Sequence, residues 1–568
     1  MADEMDYVEL RNLVVNAEPV EAARIILGAN WRDARDLIIE HPDPEAVMAA
    51  IPEEDAYLLI RQIGEIDAVD IMELATTEQV QAVFDFDCWE KDRLSVKPAR
   101  HWFAVMMDFS DDAFIRHVKN MDLGFIVLFA KRHMEVMRFD ELIDSDVPLG
   151  PNTFMPPDRR HLITYHGTED QIRLVHEFTQ RLYRLDNQFY YYLIEAVVWE
   201  AVTNIEEDAF QDRKGRMADR GFPDYFDAIE VLAPIDVAKF KPGKKISPAR
   251  LPEDQVAESG RHKMLVASAG GDTLLKRLLA TDFDGRESVL VEIIGVANMV
   301  NVAERVSFAD LEAVRDLIEA TDGYLNIGLE YLTDRNEKLA LKTLLEYRLI
   351  DLYRVGRSLA TKLGKRAKKL LPLAAADGAS RKFLLLNGAH RDFLLGLLQK
   401  EPVYHRAGQD EARRFSDVRL VDEATARLKQ LDTFIHLMHD TLGFTAEALE
   451  KMRMLGLNHD DAMGLTYRTL FATAYANDLL GREFAPKAIT VNDLPAVYSG
   501  FDLTATPPRL TDEAVGQLRE WLAARDVEDL FGLFEEIFND MAEELAVAKS
   551  HRRPDVRFIS SLLMELPY

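Results

Sequence analysis

One cysteine, Cys88, occurs in 568 residues, so no intrachain disulfide can form and the chain fits a reducing cytoplasm. Lying between Asp87 and Trp89, this thiol reads as a small buried hydrophobe rather than a reactive group. Long apolar runs are missing too. The most apolar stretch, Val289–Val302, is interrupted by Glu292, Asn298 and Asn301; it is too short and too polar to span a bilayer and reads as a buried helix, so no transmembrane segment is expected. The opening MADEMDYVEL has neither a basic n-region nor an apolar h-region, which argues against a signal peptide. Positive charge is in deficit: 68 Lys and Arg against 98 Asp and Glu leave a net −30. Such a field disfavours nucleic acid or an anionic membrane as the main partner, though a local basic surface remains compatible with it.

Familiar chemistry is also missing. No GxxxxGK[ST] loop, strand–GxGxxG–helix unit or GxSxG elbow occurs, which lowers the odds of a standard nucleotide enzyme or hydrolase. There is no HExxH, no cysteine pair and no paired Glu-x-x-His of a di-iron bundle. What remains is ordinary globular composition, 48% hydrophobic and 29% charged, in a chain long enough for roughly two to four domains.

The stretch Ile51–Phe86 is the most regular part. Pro52 suits a first helical turn, Glu53, Glu54 and Asp55 complement the helix dipole, Leu58, Leu59 and Ile63 form a stripe, and Gly64 stops the helix. Glu65 and Asp67 open a second helix with stripe Val69, Ile71, Met72 and Leu74. Thr76 and Gln79 have capping-box spacing before a third, marked by Val80, Val83 and Phe84. Helices this short must stack on neighbours to exist. The same grammar recurs at Pro19–Leu27, Asp43–Ala50, from Ser110, and at Met121–Phe129.

On the segments IPEEDAYLL and DAVDIMELA, this region resembles the small superhelical repeats in the N-terminal domain of MgtE-type magnesium transporters and in the flagellar motor switch protein FliG. The resemblance covers about the first quarter of the chain and carries over neither metal sensing nor transport, since the expected regulatory and membrane domains are not found. With RGFPDYFDAIEVL, FLLGLLQKEPVY and FLLLNGAHRDF as further landmarks, the whole chain resembles an uncharacterised bacterial helical family, which implies no activity.

The expected fold class is all-α and multi-lobed. Residues 1–143 form a superhelical short-helix repeat region; 144–238 a helical bundle segment opened by a Pro- and Gly-rich break; 239–260 a linker; 261–485 a second helical domain; and 486–568 a proline-rich loop with C-terminal helices. Thr168 and Gln171 predict another capping box, before a helix with Ile172, Val175, Phe178, Leu182 and Leu185 on one face. A helix from Phe189 to about Ile205, apolar around most of its circumference, is expected at the centre of a bundle. Leu339, Leu341, Leu344, Leu345 and Leu349 give apolar surface to a helix starting near Glu337. Further helices are expected over Asp422–Thr441, Thr445–Met454, Asp460–Leu480, Thr511–Arg525 and Val527–Ala548. Strand evidence is confined to short candidates such as His161–Tyr165.

Several residue sets are candidates for chemistry. His436 and His439, i and i+3 on a helix, are spaced to ligate one divalent metal such as Zn, Fe or Mn, with Asp432, Asp440 or His459-Asp460-Asp461 nearby; the bland reading is two satisfied histidines at a helix contact. Glu195 and Glu200 sit in an apolar helix, where carboxylates need partners such as Arg181 or Arg184. Arg213, Arg216 and Arg220 are able to face an anionic ligand, or to form ion pairs within an exposed helix. The run Arg354, Arg357, Lys362, Lys365, Arg366, Lys368 and Lys369 is suited to an anionic ligand or acidic partner, or to neutralising the chain's own acids. Leu359, Leu363 and Leu370 give that helix an apolar side, while Gly356 and Gly364 weaken it. The favoured function is a cytoplasmic protein–protein interaction scaffold or adaptor presenting a helical-repeat surface to a protein partner. The alternative is a metal-dependent enzyme centred on His436 and His439.

Overall fold

The segment Ile51–Phe86 folds as its punctuation dictates, into helices Glu53–Ile63, Val69–Leu74 and Thr77–Asp87. Gly64 adopts φ +103°, a conformation that ends the first helix and strains any residue with a side chain. The capping box forms: Thr76 Oγ1 accepts from Gln79 N at 3.2 Å and Gln79 Oε1 accepts from Thr76 N at 2.9 Å. The same buried Gln79 donates through Nε2 to the Met48 and Ile51 carbonyls, both at 2.6 Å, tying the third helix to the end of helix Pro44–Ala49. Ser110 caps Asp111–Asn120, and Asp122 caps Leu123–His133. Helices Pro44–Ala49, Thr77–Asp87, Asp111–Asn120 and Leu123–His133 thus rely on side-chain caps for groups their own ladders leave open, whereas Glu53–Ile63 and Val69–Leu74 have none.

The computed structural model describes residues 7–28, 33–139, 150, 152–156, 159–245, 272–308, 310–374, 385–406, 411–445, 448, 465–551, 556 and 559–566. Most of the break at 144–159, the linker beyond residue 245, most of the helix expected over Thr445–Met454, and His459-Asp460-Asp461 lie outside the described residues. The fold is all-α. Among the described residues strands form short antiparallel pairs, apart from one three-stranded sheet in which His161–Tyr165 lies between Met134–Arg138 and Thr153–Phe154. Among the described residues no helix is long and apolar enough to cross a membrane. Cys88 is fully buried, and burial pushes its thiol well above the ordinary range.

The chain divides into two compact units. One comprises Met1–Ala233, Pro242–Asp322 and Glu337–Tyr353; the other comprises Pro234–Lys241, Gly323–Asn336 and Arg354–Tyr568. The first has an aromatic core in which Phe103 stacks on Phe129 at 4.1 Å, with Phe84, Phe125 and Phe178 around them. The second packs Phe434, Phe471 and Phe538 around Phe534 and Tyr475. Its final segment docks: Ile559, Leu562, Leu563 and Met564 are buried, and Met564 bridges to Ile489.

Three expectations need correction. The helix placed over Phe189–Ile205 is two helices, Asn187–Trp199 and Val202–Asp219, because Glu200 and Ala201 turn extended. The first is not central to a bundle: it buries Tyr190, Leu193, Ile194 and Val197, while Tyr192 and Trp199 are 62% and 65% exposed. In helix Glu337–Glu346, Leu339 and Leu345 face solvent rather than core. Finally, Gly356 and Gly364 lie inside an unbroken helix, Leu349–Ala374. A Cβ at Gly356 would come within 2.0 Å of the Tyr324 carbonyl oxygen, and one at Gly364 within 2.4 Å of that of Leu397. These glycines are there because neighbouring backbone presses on the helix, which overrides their poor helix propensity.

Candidate functional site

In the first unit a cleft of about 580 Å³ opens beside helix Glu169–Leu185. The helix begins as its sequence demands, with Thr168 and Gln171 in a capping box and Gly167 at φ +128° before it. One face buries Val175, Phe178, Thr179 and Leu182. The neighbouring face supplies Glu177, Arg181, Tyr183 and Arg184 to the cleft, joined by Phe154 from an edge strand of the sheet, Pro156 just beyond that strand and Tyr190 from the next helix. Tyr183 meets Tyr190 edge-on at 5.2 Å and Tyr191 at 6.3 Å, so the tyrosines brace one another. Arg181 is held rigid: it donates to the Met107 and Phe109 carbonyls at 2.9 and 2.6 Å, pairs with Asp111 at 2.9 Å, and lies 4.4 Å over the Phe114 ring. Arg184, largely exposed, reaches the same Asp111 at 3.3 Å. The lining thus mixes aromatic rings (Phe154, Tyr183, Tyr190) with the charged and polar side chains Glu177, Gln180, Arg181 and Arg184.

Helix Asn187–Trp199 turns Tyr190 to the cleft and, about half a turn round, exposes Tyr192 and Trp199 on its other side. Glu195 accepts from Arg138 at 2.6 Å, from His161 at 3.1 Å and from the Trp199 indole at 3.1 Å. Arg138 lies 4.6 Å over the Trp199 ring. The Arg138 hydrogen bond holds the Glu195 carboxyl below its ordinary range. The partners of Glu195 are therefore Arg138 and His161, not Arg181 or Arg184, and Glu200 is exposed at the helix break.

Arg213, Arg216 and Arg220 face inward. Asp85, fully buried, accepts from Arg216 Nε and Nη2 at 2.8 and 2.9 Å, from Arg220 Nη1 at 2.9 Å and from Gln81 at 3.2 Å. Arg216 also reaches Asp122 at 3.0 Å, Arg220 pairs with Glu53, and Arg213 donates to the Asp85 carbonyl at 2.8 Å. Burial lowers Arg213 to about 10. These arginines neither await a ligand nor pair within their own helix; they fasten it to the helices carrying Asp85 and Glu53 and to the cap of Leu123–His133.

In the second unit, the two other candidate sets turn out to be neighbours. His436 and His439 both hydrogen-bond through Nδ1 to Asp440, at 2.6 and 2.7 Å, where helix Val418–His436 passes into a π-turn, Leu437–Thr441. Those bonds hold the Asp440 carboxyl below its usual range. His436 Nε2 stands 3.4 Å from Asp432, which in turn lies 3.8 Å from Arg366 of the basic run. Among the described residues, no group of three or more His, Cys, Asp or Glu side chains is placed to hold a metal ion. Within the run, Arg357 pairs with Glu401 at 3.4 Å and Arg354 lies 5.8 Å from the Phe240 ring centroid. Lys362, Lys365, Lys368 and Lys369 point into solvent.

Sequence reasoning missed the cleft. Phe154 and Pro156 fall in a segment read as a break, and Tyr190 in a run read wholly as core. The signal was tyrosine density beside a strongly one-faced helix. A family model, described as a family of unknown function (DUF6178), matches residues 14–565. No curated protein and no solved structure matches the chain.

Proposed function

The chain belongs to that family of unknown function, and from this premise we propose that it is a protein–protein interaction scaffold or adaptor acting in the cytoplasm. The observations that carry this are the cleft, whose lining includes Phe154, Tyr183, Tyr190, Arg181 and Arg184, and the exposed rings of Tyr192 and Trp199 on the other side of the helix that supplies Tyr190. Tyrosine, tryptophan and arginine are the side chains that most often anchor a protein partner: they give large contact area at small entropic cost, and here neighbouring rings and carbonyls already fix several of them. A lone cysteine supports a reducing compartment. The short capped helices of the N-terminal region supply the stacked framework on which such a surface is held.

Site-specific photocrosslinking tests this. A photoreactive amino acid at position 192 or 199 in the native cell should trap a discrete protein partner. The same group at Val547, 61% exposed in the second unit, should not trap that protein. Tyr192→Ala with Trp199→Ala should abolish co-purification of the trapped protein, and Tyr192→Ala alone, which removes no contact described above, should weaken it while leaving the thermal midpoint unchanged. Crosslinks no more specific than those from position 547 would refute the reading.

A further inference from the structure

The second unit carries a separate surface of opposite character to the protein's overall charge. Around the lysines, helix Leu349–Ala374 buries Ala360, Leu363, Ala367 and Leu370. At ~100° per residue, Lys362, Lys365, Lys368 and Lys369 fall on the side away from that stripe, and all four are exposed. The structure divides the basic run by task. Arg357 and Arg366 are spent on Glu401 and Asp432, and Arg354 packs by Phe240. The four lysines have no acidic partner among the described residues. In a chain with 98 acidic and 68 basic residues, neutralising partners are plentiful, so four adjacent ammonium groups without an acidic partner among the described residues are a local reversal of sign.

We propose that this lysine face docks an acidic polypeptide segment of a partner protein. Three classes of polyanion are available, and charge and dimensions separate them. From Lys362 to Lys369 the face rises only about 10 Å, so a nucleic acid would soon run past it into the field of a chain with net charge −30. A membrane surface would meet the same repulsion over a wider area. It would also find no anchor, since none of the exposed large apolar side chains belongs to this helix. A short segment with Asp or Glu on one face, two turns long if helical, places its carboxylates over the lysines and ends before the repulsion begins. The inference uses none of the cleft residues, so either surface can fail alone.

The experiment uses the full chain and three labelled probes: an eight-residue peptide with Glu at positions 1, 4, 5 and 8, which share one helical face, a single-stranded oligonucleotide, and phosphatidylserine–phosphatidylcholine vesicles. Each is titrated at low and physiological salt. The peptide should bind, and the quadruple variant K362Q/K365Q/K368Q/K369Q should weaken it by about tenfold or more, since each of four exposed pairs adds a small increment. A control quadruple with the same charge change, K91Q/K338Q/K342Q/K487Q, should shift affinity less than twofold. In the wild-type protein, bound peptide should protect Lys362, Lys365, Lys368 and Lys369 from acetylation, a readout independent of the variants' folding. Equal weakening in both quadruples, no protection, or lysine-dependent binding that is tighter for oligonucleotide or vesicle would each overturn the proposal.

Discussion

Two helices present cations at the same spacing and use them in opposite ways. Arg213, Arg216 and Arg220 stand at i, i+3 and i+7, and so do Lys362, Lys365 and Lys369. The arginines close on Asp85, Asp122 and Glu53, whereas the lysines face water. Phase against the apolar stripe decides the difference. In helix Val202–Asp219 the buried positions are Ile205, Ala209 and Met217, and the arginines continue the same face. In helix Leu349–Ala374 the lysines lie opposite Leu363, Ala367 and Leu370. Residue type follows position: a planar guanidinium with several donors can satisfy a buried carboxylate from two sides, whereas an ammonium on a flexible stem is better left hydrated.

The sharpest way to break this comparison is at Asp85. Asp85→Ala takes from Arg216 and Arg220 the buried carboxylate they share, leaving them Asp122 and Glu53 respectively, and removing one partner of a buried ion pair costs about 3–5 kcal/mol. Urea unfolding of the first unit should show a loss of that size. A loss under about 1 kcal/mol would mean the arginines are as solvated as the lysines, and the contrast would disappear.

Acid sharpens it next, through histidine. His117 is fully buried in the first unit, and burial lowers it from 6.5 to about 4. His390 of the second unit is likewise lowered to about 4. Between those values the unfolded chain holds the proton and the folded chain does not, so stability is unaffected above pH 6.5 and falls as pH drops toward 4. For His117 the loss at pH 5 is roughly 2 kcal/mol. His117→Asn should flatten the urea midpoint between pH 7 and pH 5; an unchanged pH slope would show that this site is not the source.

Glycines in the two helices should respond with opposite sign. Gly356→Ala drives a Cβ against the Tyr324 backbone and should destabilise the second unit by about 1–3 kcal/mol. Gly215, in the arginine helix, has open space where a methyl group would stand, with nothing within 4 Å, so Gly215→Ala should stabilise by up to about 1 kcal/mol. Thermal midpoints that move in the same direction for both would contradict the packing described.

Much of this is legible in the sequence alone. The capping boxes at Thr76 and Thr168, the stop at Gly64 and the strand His161–Tyr165 are local signals, and each forms where its residues place it. The lysine face is equally legible, because Leu363 and Leu370 fix its phase within the same helix. The arginine cluster is not, since its acceptors lie between 94 and 167 residues away in sequence. Nor is the break at Glu200, which has no proline or glycine to announce it. The cleft is assembled from Met107, Phe154, Pro156 and two helices, and no single window of sequence contains it. Gly356 is legible as a residue but not as a reason: its neighbour Tyr324 belongs to another helix.

The smallest expected effect is the one that completes the comparison. Lys362→Gln, Lys365→Gln and Lys369→Gln together should change unfolding free energy by no more than about 0.5 kcal/mol, because exposed charges away from partners contribute little to the fold. Reducing positive charge in an acidic chain works against stability through long-range repulsion, but salt screens exposed charges beyond ~8 Å at physiological strength. The matched change at Arg213, Arg216 and Arg220 alters the charge equally yet strips a buried carboxylate of its donors, so it should unfold the first unit. Net charge is the same in both variants, and only the facing of the helix differs. A lysine triple variant that also unfolds would mean that these ammonium groups are structural after all, and the lysine face would then have no claim to be a binding surface.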